Sequence, residues 1–216
     1  MQLIWFGHSC FLIKTDEGKR ILMDPFNNYL GYNSNFPKCD LITISHNHFD
    51  HSYINEINAE TKILNTCDIL NLDYVHIEGL NSFHDDYNGL KRGRNIIYIF
   101  KFKNISLAHL GDLGNIPDDS VLNHLSSLDF LLIPIGGNFT IDGNTASKLC
   151  KLLQPHYIIP MHYKTNLTSI NLNGSKKFLI SMNNIQKINS NQINLSDWNL
   201  NTNNMNVLLL TPPISF

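Results

Sequence analysis

The sequence predicts an α+β fold on mixed β-sheet, in a single domain spanning 1–216. Three observations predict it. Short apolar and β-branched runs crowd the first half of the chain, bounded by glycine, proline and charged residues, as strands are. Two later segments repeat apolar residues at helical spacing. Strands come first in runs and then alternate with helices, which calls for both parallel and antiparallel neighbours.

In chain order, Leu3–Phe6, Phe11–Lys14 and Ile21–Met23 read as strands separated by glycine and charged residues. Leu41-Ile42-Thr43-Ile44 is a compact buried strand, and Ser52–Ile57 can continue a helix begun near Asp50. Ile96–Phe100 and Ile105–Ala108 form a hairpin around Lys103-Asn104. Asp119–Leu128 sets Val121, Leu122, Leu125 and Leu128 near helical spacing, with Pro117-Asp118 as a start signal. Phe130–Ile133 is the next strand. Asn144–Leu153 is a second helix, with Asp142 as N-cap and Pro155 as its stop. Tyr157–Ile159 and Val207–Leu210 complete the strands. Residues 165–206 are rich in Asn and Ser, the composition of a surface layer or of partial disorder, yet Phe178, Leu179, Ile180, Ile188, Ile193, Leu195 and Trp198 argue that much of the segment packs.

Composition narrows the function. The formal net charge of -2 offers no basic face, so no nucleic-acid partner is expected. The one dense basic run, Lys91-Arg92-Gly93-Arg94, reads as a solvated turn before a strand. Cys10, Cys39, Cys67 and Cys150 are scattered without a C-x-x-C pair, which points away from a structural zinc site or a disulfide framework and toward reduced thiols. No charged segment followed by an apolar one opens the chain, and no apolar run has the length of a membrane span. A cytoplasmic protein acting on a small molecule is the default expectation; the oligomeric state is left open.

The decisive segment is Ser45-His46-Asn47-His48-Phe49-Asp50-His51, directly after the strand at Leu41–Ile44. A strand end leading into a tight loop is a rigid platform from which side chains can converge. Imidazole and carboxylate are the donors preferred by zinc and other first-row divalent ions. His46 and His48, two apart on an extended loop, can point to one side, while Asp50 and His51 reach a second position as the chain turns.

H-x-H-x-D-H after a buried strand resembles the signature of the metallo-β-lactamase superfamily. The order of the surrounding motifs extends the resemblance from residue 1 to about Lys164. Asp24 in Ile21-Leu22-Met23-Asp24-Pro25 resembles the aspartate that braces the ligand loop, and His84 in Ser82-Phe83-His84-Asp85-Asp86 the third-motif histidine. Asp112 in His109-Leu110-Gly111-Asp112-Leu113-Gly114 resembles the metal-bridging aspartate, and His162 in Ile159-Pro160-Met161-His162 the last ligand. Gly7-His8-Ser9-Cys10-Phe11 and the Gly-Asp-Leu-Gly stretch are similar to the branch holding the ascorbate-6-phosphate lactonase and the N-acyl-phosphatidylethanolamine phospholipase D.

The resemblance implies a four-layer αβ/βα sandwich, two mixed sheets flanked by helices. It implies two divalent ions, zinc first and manganese or iron as alternatives. His46, His48 and His84 would hold one ion, Asp50, His51 and His162 the other, and Asp112 both. A hydroxide at that centre would attack an ester, lactone or phosphoester, and Asp50 could pass a proton to the leaving group. Asp24, His8 and His109 are expected to touch ligands or substrate rather than the metal, with plain packing as the alternative for His109. Tyr163 and Lys164 could meet an anionic substrate or lie at the surface, and Gly136-Gly137-Asn138-Phe139-Thr140 reads as a turn. A phosphodiesterase or nuclease of the same fold, and a metal-binding redox module, are the rival readings.

Overall fold

A computed structural model of the chain describes residues 1–54, 60–200, 202 and 204–213. Two mixed sheets pack face to face. The first runs β1 (Gln2–Gly7), β2 (Cys10–Lys14), β3 (Arg20–Met23), β4 (Leu41–Thr43) and β5 (Lys62–Leu64) in spatial order. The second runs β6 (Ile69–Leu72), β7 (Val75–Phe83), β8 (Arg94–Lys101), β9 (Ser106–His109), β10 (Phe130–Pro134) and β11 (Tyr157–Met161). Of the late strands, β12 (Ile185–Ile188) and β14 (Asn206–Leu210) extend the second sheet past β11, and β13 (Gln192–Asn194) returns to flank β1. The Asn-rich segment therefore supplies an edge strand to each sheet.

Alternation along the strands explains the layers. In β1–β4, Leu3, Trp5, Phe11, Ile13, Ile21, Met23 and Leu41 point into the core between the sheets. Their neighbours Cys10, Leu12, Leu22 and Ile42 point the other way, into a second apolar cluster closed by Phe26, Leu30 and Tyr32. Strands buried on both faces carry near-continuous apolar runs, which is why these runs are so plain in the sequence. On the second sheet, α2 (Gly143–Leu153) packs Ala146, Leu149, Cys150 and Leu153 into the main core and touches both β10 and α3 (Lys176–Ile180). Asp142 caps α2 by accepting a bond from the Thr145 amide at 2.9 Å, and the helix stops at Gln154, in left-handed backbone just before Pro155.

The expected helix at Asp119–Leu128 is shorter, α1 covering Asp119–His124. Leu125 takes a non-helical cap conformation and Ser127 a left-handed φ of 60°, so the chain turns early to bring Leu125 and Leu128 into the core. Ser52–Ile54, the start of the other expected helix, are not helical, and its remaining positions 55–57 lie outside the described residues. Among the described residues no helix is long and apolar enough to cross a membrane.

The topology fixes where a site can form. β1 and β2, like β2 and β3, are antiparallel, and β3 and β4 are parallel, so β1, β3 and β4 run in one direction. By the same reasoning β7, β9, β10 and β11 share one direction in the second sheet. The residues immediately after β1, β3, β7 and β11 are His8, Asp24, His84 and His162. The His46–His51 loop follows β4, and Asp112 follows β9.

Candidate metal centre

The strand ends converge. Nε2 of His51 lies 3.2 Å from Asp112 Oδ1. Nε2 of His84 and of His162 lie 3.3 and 3.2 Å from Asp112 Oδ2, and Nε2 of His46 3.9 Å from the same oxygen. The His46 ring sits 4.6 Å from His48 and 4.7 Å from His84, centroid to centroid. The donor atoms of His46, His48 and His84 lie within 4.8 Å of one another, as do those of His8, Asp50, His51 and His162. All these residues are buried except His48, which is exposed at the rim of the centre.

Asp24 sets the orientation of the ligand loop. Its Oδ1 accepts the Ser45 amide at 2.7 Å, and its Oδ2 accepts the Ser45 hydroxyl at 2.6 Å and His51 Nδ1 at 2.8 Å. The Ser45 hydroxyl has one hydrogen, and it goes to the carboxylate. Its 2.9 Å contact with His46 Nδ1 therefore takes a hydrogen from the imidazole. His46 and His51 are thereby both fixed with Nδ1 as the donor, leaving Nε2 as the atom that faces Asp112.

Electrostatics keep the buried carboxylates ionised and hold His8, His46 and His84 as neutral imidazoles. Burial alone would push Asp112 up, but the His162 and His51 imidazoles beside it hold it well below the usual carboxylate range. Burial likewise works against Asp24 and Asp50, and the His51 ring beside both draws them down. Burial lowers His46 to about 3 and His8 to about 4, and lowers His84. His51 goes the other way: burial opposes its charge, but Asp112, Asp50 and Asp24 together raise it well above its ordinary value.

This donor set fits divalent metal. The buried Nε2 atoms of His46, His51 and His162 and Oδ1 of Asp112 have no hydrogen-bond partner, although they lie close together. Buried polar atoms without partners are costly, and a cation among convergent nitrogen lone pairs and carboxylate oxygens would satisfy them.

The remaining candidates divide. His8 joins the cluster, its Nε2 3.2 Å from Asp50 Oδ2. It sits in the tight β1–β2 turn at a left-handed φ of 51°, and Asp24 and His162 adopt φ of 47° and 50°. Non-glycine residues in this region are strained, and such strain gathers at functional sites. His109 lies outside the donor groups: its Nε2 donates to the Ser9 carbonyl at 2.8 Å and its Nδ1 accepts the amide of Gly111, next to Asp112, at 3.2 Å. Tyr163 is buried and stacked on Trp5, and the Lys164 ammonium donates to the Thr168 carbonyl. Thr140 bonds within its own loop.

Two residues that sequence reasoning passed over orient the centre. Asn95 is fully buried; its Oδ1 accepts the Asp112 amide at 2.9 Å and its Nδ2 donates to Ser82 Oγ at 2.7 Å and Leu110 O at 3.0 Å. Ser45 is the other, through its bonds to Asp24 and His46. No local pattern marks Asn95, since an Asn at a strand start is ordinary. Gly111, at φ 55°, is pressed so closely against both that an added methyl would lie 2.3 Å from Asn95 Oδ1 and 2.6 Å from Ser45 Cβ. Beside His46 and His48 opens a cleft of about 960 Å³, also lined by Ile44, Ile63, Asn65 and Ile96.

Comparison with known proteins bears on this geometry. The family model of the β-lactamase superfamily domain matches residues 2–162. A UPF0173 metal-dependent hydrolase of Carboxydothermus hydrogenoformans is 30% identical over 194 residues, 76% of this chain and 85% of that protein. Its counterpart in Thermoplasma volcanium is 30% identical over 193 residues, 76% of this chain and 84% of that one. The crystal structure of a Thermotoga maritima protein, assigned as a Zn-dependent hydrolase of the metallo-β-lactamase superfamily, superposes with a TM-score of 0.76 at 29% identity. That superposition covers 97% of this chain and 99% of the other.

Proposed function

Since the chain belongs to the metallo-β-lactamase superfamily and is a metal-dependent hydrolase, we propose that it cleaves an ester, lactone or phosphoester bond of a small molecule at a pair of divalent ions. The observation that carries this reading is the convergence of four imidazole Nε2 atoms on the Asp112 carboxylate at 3.2–3.9 Å. In this reading His46, His48 and His84 would hold one ion, Asp50, His51 and His162 would hold the other, and Asp112 would contribute to both. Zinc suits the imidazole-rich donors; manganese and iron accept the same donor types.

Ions bound there would supply Lewis acidity and lower the pKa of a water toward neutrality. The chain's own residues do the rest. Asp24 holds His51 directly, and His46 through Ser45, in the tautomer that presents Nε2 inward. Asn95 fixes the Asp112 backbone so that its carboxylate meets residues from both sheets. Asp50 is kept ionised beside His51 and His8, so it can accept a proton and return it to a leaving group. The exposed His48 marks the side from which substrate enters. We read the chain as one domain, because residues beyond 164 contribute strands to both sheets. Its four free cysteines fit a reducing, cytoplasmic setting.

The test is a panel of lactones, phosphodiesters and thioesters assayed after loading with zinc, manganese or iron, alongside Asp112→Asn. The expected result is turnover that chelation abolishes and reloading restores. Asp112→Asn is expected to bind fewer than two ions per chain and lose turnover by orders of magnitude while still folding. Two retained ions with near-normal turnover would remove Asp112 from the mechanism.

A further inference from the structure

The sequence assigns Lys91-Arg92-Gly93-Arg94 to a solvated turn. The structure keeps it as a turn before β8 with Lys91 and Arg94 exposed, and Arg92, Gly93 and Arg94 also line the cleft that His46 and His48 open onto. Among its described lining residues there is no carboxylate, and the two arginines are its only permanent charges. Neither arginine forms an ion pair among the described residues. Arg92 donates to the Asn138 carbonyl at 3.1 Å and lies 4.7 Å over the Phe139 ring. Arg94 is exposed and shares the cleft wall with Cys67.

The turn is not a loose one. The Asp85 carboxylate accepts the amides of Tyr87, Gly89, Lys91 and Arg92 at 2.7–2.9 Å. The Gly93 carbonyl accepts the His84 amide at 3.1 Å, so the arginines and a proposed metal ligand share one frame. Positioning of this kind is what a recognition group requires. For a purely structural turn it makes little sense: two arginines without carboxylate partners among the described residues, beside a centre for divalent ions, add like charge to like charge. An anionic ligand removes that repulsion.

We propose that Arg92 and Arg94 form the subsite for an oxyanion carried by the substrate. The hydrolysed compound is then an ester or lactone with a carboxylate or phosphate at some distance from the scissile bond. This rests on the hydrolase reading above and names the substrate class for the same centre. The guanidinium fork matches either oxyanion in plane. Ile44, Ile54, Ile63 and Ile96 on the same walls suit an apolar stretch in the substrate. A cleft of about 960 Å³ is the size of a small-molecule pocket.

The experiment compares three aryl esters with acyl chains of one length, ending in a methyl group, a carboxylate or a phosphate. They are assayed with the metal-loaded wild type and with the double variant Arg92→Met/Arg94→Met. The expected result is that the kcat/KM preference for the anionic esters over the methyl-ended one falls about ten- to a hundred-fold, mainly through KM. The carboxylate and phosphate arms tell which oxyanion is preferred. Arg94→Glu is expected to shift preference toward an ester ending in trimethylammonium. A readout independent of turnover is calorimetric titration with inorganic phosphate, whose affinity is expected to weaken about ten-fold in the double variant. Unchanged ester preference together with unchanged phosphate affinity overturns the subsite and leaves the hydrolase reading standing. If the wild type turns over none of the esters but the double variant still loses phosphate affinity, the subsite stands and the ester reading falls.

Discussion

At the scale of the residue, strain and tautomer say most about the centre. His8 occupies a turn position where its φ of 51° favours glycine, and there its fully buried ring donates to Asp50. That conformation costs a non-glycine residue about 1–3 kcal/mol. His8→Gly and His8→Ala both remove the bond to Asp50, but only the glycine also relieves the backbone. In denaturant unfolding of metal-free protein, the glycine variant is expected to exceed the alanine variant by about 1 kcal/mol. In metal titrations both are expected to bind divalent metal about 10- to 100-fold more weakly, the usual effect of losing a group that orients a ligand. Equal stability of the two variants would show the turn unstrained, and unchanged metal affinity would show that His8 does not hold Asp50. The sequence marked His8 as a pocket residue through Gly7-His8-Ser9, but the strain depends on a backbone angle that no residue name encodes.

At the scale of the element, the turn after β7 depends on a single carboxylate. Asp85 collects four backbone amides, and although burial works against it, those bonds hold its carboxyl below the ordinary value of 3.8. A carboxylate depressed in the folded state stabilises the fold fully above its unfolded pKa, and that contribution disappears as pH falls through the folded value. The melting temperatures of wild type and Asp85→Asn are therefore expected to differ most at neutral pH and to converge in acid below 3.8. A pH-independent gap would show that shape, not charge, closes the turn. Such an element is hard to read in advance. Asp85-Asp86 close to Lys91-Arg92 looks like charged residues facing solvent, because the bonds that organise the turn go to backbone amides rather than to partner side chains. β7 escaped notice for a related reason. Its inward Val75 and Ile77 alternate with His76, Glu78 and Leu80 on a partly exposed face, and Gly79 and Asn81 interrupt the inward one, so no apolar run announces it.

At the scale of the whole molecule, the centre joins the two sheets. His8, Asp24, His46, His48, Asp50 and His51 come from the first sheet's strand ends, and His84, Asp112 and His162 from the second's. A ligand that binds only the folded state at a hundred times its Kd adds about 2.7 kcal/mol. In a chain of this size that corresponds to roughly 5–10 °C in Tm for each such ion. Chelation is thus expected to lower the melting temperature and metal to restore it in a concentration-dependent way, as scanning calorimetry would measure. A Tm indifferent to metal would mean that the sheets hold together without the centre. The sequence alone determined the strands buried on both faces, α2 with its cap and stop, and the identity of the clustered donors. Those features are local: apolar runs, a cap three residues from its amide, and His46 to His51 within one loop. The tertiary structure alone decided that His84, Asp112 and His162 meet that loop, that Ser45 aims it and Asn95 aims Asp112, that backbone groups occupy both ring nitrogens of His109, and that Arg92 and Arg94 line the cleft. The physical reason is that parallel strands deliver their carboxyl ends to one place whatever their separation in sequence, and strand direction is set by pairing across the sheet.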